Sequence, residues 1–145
     1  MTTQATYDDV NLILKLFEIR REEKLREARA FVTGKFKAST LEEMNQLCPP
    51  GSLEQTYLRM SLSYWDMVAS FVTAGVLNAD LLFQSGGELA VTYEKIREVV
   101  PAARKELNYP AFVANLEKVA DMYLEWLEKH NPGSTAAFQA RVRSR

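Results

Sequence analysis

The chain is expected to fold as an all-α, single-domain bundle of about four longer helices and two or three short ones. Three observations lead there. Apolar residues recur at intervals of three and four along most of the sequence. Helix-start signatures, a hydroxyl or amide residue with an acid or glutamine close behind, fall just before the apolar runs. No period-two alternation is long enough to mark a strand.

The first element reads as one long helix. Thr6 followed by Asp9 opens it, because a hydroxyl cap and an acid in the first turn satisfy free backbone N–H groups. Val10, Ile13, Leu14, Phe17, Leu25, Ala28, Phe31 and Val32 keep helical spacing, with Arg21 interrupting, and Gly34 is the stop or a break before Phe36. Its character changes halfway. From Tyr7 to Ile19 it is apolar on two opposed faces, and from Arg20 to Arg29 almost every residue is charged.

Ser39-Thr40-Leu41-Glu42 predicts a short second helix, ended by Cys48-Pro49-Pro50-Gly51. Ser52-Leu53-Glu54-Gln55 starts a long third helix that stops near Gly75. Asn78 caps one short turn through Leu82 and Phe83, and Ser85-Gly86-Gly87 is a loop. A fifth helix carries Leu89, Tyr93, Ile96, Val100, Ala103 and Leu107; Pro101 lies inside this stripe and either kinks it, the reading the unbroken stripe favours, or is the first residue of a new helix. Pro110 is expected as the first residue of a sixth helix that runs to about His130. Residues 1–133 form the bundle domain, and 134–145 form a tail that is a short helix through Phe138 and Val142 or a frayed end.

With 145 residues the chain can bury a core without metals or disulfides. Its 18 basic and 19 acidic side chains nearly cancel, so there is no general attraction to nucleic acid or to an anionic membrane. Cys48 is the single cysteine, which excludes an intramolecular disulfide and a cysteine metal site. No signal peptide is expected at the start. The most apolar early stretch, Val10 to Ile19, is too short to span a bilayer and carries Lys15 and Glu18. A cytoplasmic protein with no membrane span is the expectation.

Chemistry is harder to find. The third helix is apolar over an arc of about 220° at 100° per residue, and its narrow polar stripe holds Gln55, Arg59, Ser63, Asp66, Ser70 and Thr73. Arg59 and Asp66 share that face and can flank a polar ligand, with Tyr64, and Arg97 or Arg104 from the fifth helix, as further candidates. The plain alternative is a solvent-facing seam. His130, the single histidine, sits where a helix end favours a cation, and it has no second histidine to make a metal site. Glu117, Asp121, Glu125 and Glu128 read as a solvated face. Arg20, Arg21, Lys24, Arg26 and Arg29 alternate with Glu18, Glu22, Glu23 and Glu27, which reads as a self-paired surface. Cys48 at a helix end is a buried small hydrophobe. Neither a catalytic residue, nor a cofactor, nor a metal site is expected.

Some longer phrases carry a resemblance. Leu25-Arg26-Glu27-Ala28-Arg29-Ala30-Phe31-Val32 precedes the aromatic Trp65-Asp66-Met67-Val68-Ala69-Ser70-Phe71-Val72. Gly75-Val76-Leu77-Asn78-Ala79-Asp80-Leu81-Leu82 and the segment from Tyr93 to Arg104 follow. In these phrases the chain resembles an uncharacterised bacterial family of small all-helical proteins, a domain of unknown function. The resemblance implies the helical fold and no catalytic residues.

Function is therefore expected from surfaces. Leu12, Leu16 and Ile19 lie opposite Val10, Leu14 and Phe17 on the first helix, one apolar face more than a single layer of neighbours needs. The leading expectation is a non-catalytic binding or structural module that self-associates through Leu12, Leu16 and Ile19 as a homo-oligomer or meets an unknown protein partner. The alternative is a small-ligand or enzymatic pocket beside the third helix. Nucleic-acid contact through Arg141, Arg143 and Arg145 is the weakest reading and is not expected.

Overall fold

Local capping chemistry starts several of the helices. In the computed structural model, which describes residues 4–145, Thr6 accepts from Asp9 N while the Asp9 carboxylate takes Thr6 N at 2.8 Å, opening α1 (Tyr7–Ile19). The same reciprocal box, Thr40 with Glu43, opens α3 (Leu41–Leu47), which follows α2 (Glu23–Gly34). Ser52 caps α4 (Leu53–Thr73), and Asn78 caps α5 (Ala79–Gln84) through Leu81 N. The chain continues as α6 (Glu88–Ile96), α7 (Val100–Glu106), α8 (Ala114–His130) and α9 (Ser134–Arg143), with no strand among the described residues. The first three residues of the expected 1–133 unit lie outside the described residues.

The 21-residue α4 is central. It packs against α2 on one side and α8 on the other, with α6 also against it, so that Ser61, Leu62, Trp65, Val68, Ala69 and Val72 are buried. Its other flank is less enclosed: Met60 is half-buried and Met67 is exposed. No described helix is long and apolar enough to cross a membrane. The tail forms α9, which lies on α6 and α8 with Phe138 and Val142 buried. Burial of Glu94 is compensated there: its carboxylate accepts from Arg97, Gln139 and Arg143.

Three local expectations are corrected. The first long helix is two helices. It breaks at Arg20–Glu22, where the Glu22 carboxylate takes Lys24 N and Leu25 N and so starts α2 afresh. Tertiary donors serve the backbone on the other side of the break: Tyr64 Oη donates to Leu16 O at 2.6 Å and Arg29 Nη1 to Arg20 O at 3.0 Å. The fifth element is not the favoured kinked helix but two helices, the other reading of Pro101. The chain leaves α6 at Arg97, and Pro101 falls in the first turn of α7, where its missing N–H has no helical acceptor to lose. Last, Pro110 does not begin the final long helix. That helix starts four residues later at Ala114, after Asn108 and Val113 turn the chain with φ of 52° and 49°.

The charged half of the first element also differs from the self-paired surface expected of it. Arg20 and Arg29 turn inward to Glu88 on α6, with side chains 18% and 15% exposed. Among the described residues of this stretch, Lys24 and Glu27 form the one local ion pair.

Candidate functional site

The proline pair ends α3, and residues of α3 and α4 face one space. A cleft of about 720 Å³ is left between α3, α4, α7 and the loop 107–113. Its walls are mainly apolar, with Met44 from α3, Leu58 and Leu62 from α4, Val99 and Val100 at the start of α7, and Phe112 from the loop. The polar groups that line it are few: Asn45, Gln55, Arg59, Ser63, Asp66, Glu106 and the Tyr109 phenol. Such a mix, apolar walls with sparse polar groups, is the common composition of small-molecule sites.

Arg59, Ser63 and Asp66 reach the cleft because they stand four and three residues apart on one face of α4. Seven residues of helix rise separate Arg59 from Asp66 by about 10 Å. The two differ in what holds them. Asp66 Oδ1 accepts the backbone N–H of Leu116 at 2.9 Å. Val113, at the N-cap position of α8, supplies no side-chain cap, so Asp66 performs that task from another helix. Arg59, Ser63 and Asn45, by contrast, make no side-chain hydrogen bond, ion pair or ring contact among the described residues. Arg59 and Ser63 also line a shallower groove that passes Ile19, Leu25 and Met60.

The other sequence candidates lie elsewhere. Tyr64 does not line the cleft; it borders the shallower groove with Arg59 and Ser63, is buried and bonded to Leu16 O, and burial pushes its phenol up to about 12. Arg97 bonds Glu94 and Asp121 and lies over the Tyr93 ring. Arg104 bonds Phe112 O and Glu117, and Tyr93 Oη donates to the same Glu117 carboxylate. Arg97 and Arg104 thus tie α6 and α7 to α8 and do not line the cleft. Sequence reasoning missed the far wall: Asn45, Val99, Val100 and Phe112 belong to segments whose direction depends on where the helices break.

The α1 candidates are also redistributed. Leu16 is 5% exposed, packed in the chain's own core, and Leu12 is half-buried, while Ile19 is 40% exposed. The outward apolar stripe runs instead through Tyr7, Val10 and Leu14, which are 85%, 41% and 62% exposed.

No described group of three or more His, Cys, Asp or Glu side chains is arranged to hold a metal ion. Cys48 lines the cleft but is buried, and burial pushes its thiol up, away from the reactive thiolate.

A family profile described as "Domain of unknown function (DUF4760)" matches residues 5–126. The chain belongs to this family. The DUF4760 match covers α1 to α7 and most of α8, and so includes every wall of the cleft, while α9 lies beyond it. No curated protein and no solved structure matches the chain significantly.

Proposed function

We propose that this DUF4760 chain is a non-catalytic binding module whose working surface is the cleft between α3, α4 and α7. The cleft itself carries this reading. A concave, mainly apolar space of about 720 Å³ lies within the roughly 300–1,000 Å³ span of sites that hold drug-sized ligands. Its lining offers no nucleophile beside a base, which favours binding over turnover. The test uses a neutral solvatochromic dye, Nile red. Saturable one-to-one binding is expected, lost in Ser63→Trp, which places a large ring at an exposed lining position. Absence of dye binding, or equal binding by a folded Ser63→Trp variant, overturns the reading.

A second reading, self-association, is favoured by the outward stripe of Tyr7, Val10 and Leu14. It expects a dimer or larger species in light scattering that reverts to monomer in Leu14→Glu. A wild-type monomer at all concentrations removes it. A cytosolic setting and an unknown protein partner remain compatible with both readings.

A further inference from the structure

We infer that the cleft takes an amphiphile with an apolar body and a single oxyanion head, a carboxylate or phosphate monoester, received by Arg59. This rests on the reading of the cleft as a ligand site. Asp66 is spent on Leu116 N and on the start of α8, about 10 Å along α4 from Arg59. Gln55 Oε1 is spent on Gly51 N. The polar side chains left without partners among the described residues are Arg59, Ser63, Asn45, Glu106 and Tyr109.

Four of these five carry donors. Arg59 brings a guanidinium fork, and Ser63 lies on the same face of α4 four residues on, so their polar ends are neighbours. Asn45 adds amide donors from the α3 wall. An oxyanion can draw on Arg59, Ser63 and Asn45, whereas the carboxylates that would receive an ammonium are set apart from Arg59, Asp66 about 10 Å along α4 and Glu106 at the exposed end of α7. Apolar side chains make up the rest of the lining, which suits a hydrocarbon body and disfavours a small, fully polar anion.

The experiment is displacement of Nile red from the full chain at neutral pH and low salt by decanol, decylamine, decanoate and decyl phosphate. Decanoate or decyl phosphate is expected to compete at about tenfold lower concentration than decanol, the size of one charge-assisted hydrogen bond. Whichever of the two is stronger identifies the head group. Arg59→Gln is expected to bring the anions within about twofold of decanol while Nile red still binds. Equal competition by decanol and the anions, decylamine as the best competitor, or an anion preference that survives Arg59→Gln overturns the head-group assignment and leaves the cleft reading standing. Failure of Nile red to bind the wild-type chain overturns both.

Discussion

Arg29 meets Glu88 through two parallel hydrogen bonds, Nε to Oε2 at 2.6 Å and Nη2 to Oε1 at 2.9 Å. The third nitrogen, Nη1, reaches Arg20 O, and the Arg20 guanidinium lies 3.6 Å from the same carboxylate. Glu88 at the start of α6 therefore gathers both ends of the break between α1 and α2. Arg29→Gln is expected to cost about 2–3 kcal/mol in urea unfolding, because it leaves a partly buried carboxylate with one distant partner. A double-mutant cycle with Glu88→Gln should return a coupling of about 1–3 kcal/mol. A coupling near zero would show the pair to be solvated.

Asp66 serves α8 as a cap supplied from α4. Asp66→Ala should lower stability by about 1–2 kcal/mol, whereas Asp66→Asn, whose amide oxygen can still accept Leu116 N–H, should cost less than half of that. The ratio of the two losses in parallel urea titrations is the check.

Asp9 predicts an acid-sensitive junction. Its carboxylate accepts Asn78 N and Thr6 N, both at 2.8 Å, and these bonds, Asn78 first, hold its pKa below the ordinary 3.8. Both bonds favour the charged form. The stabilisation is thus complete above the unfolded value near 3.8 and is lost as the pH falls through the lowered folded value. Asp9→Asn is expected to flatten that part of the stability–pH curve. A carboxyl titration followed by NMR should place Asp9 below a free aspartate.

Gly87 is set by a close approach. A methyl at its Cα would stand 2.5 Å from Tyr123 Oη and 2.8 Å from Tyr123 Cζ. Tyr123 cannot easily retreat, since its ring packs against Phe83, Trp126 and Phe138. Gly87→Ala should therefore destabilise the protein by about 1–3 kcal/mol and alter the near-ultraviolet circular dichroism of the aromatic cluster. An unchanged spectrum with unchanged stability would mean that the ring shifts freely.

Much of the fold was legible because its signals are local. Caps at Thr6, Thr40, Ser52 and Asn78 use side chains within three residues of the groups they satisfy, and the stripe along α4 shows its central burial directly. Arg59, Ser63 and Asp66 could be grouped for the same reason, since one helix face brings them together. The missed breaks are of another kind. Helical spacing continues from α1 into α2 with a single interruption at Arg21 and runs unbroken from α6 into α7, and spacing cannot register a turn that keeps the apolar residues in phase.

By itself, then, the sequence determined the all-helical class, most helix starts and the polar stripe of α4. Tertiary structure decided where two long runs break, because Tyr64, Arg29 and Glu88 serve the break between α1 and α2 from distant positions. It decided that Asp66 caps α8 and that Arg97 and Arg104 are spent on carboxylates. It also buried Leu16 and turned Tyr7, Val10 and Leu14 outward. These are matters of which polar and apolar groups meet across long stretches of chain, and a one-dimensional pattern holds each group without its partner.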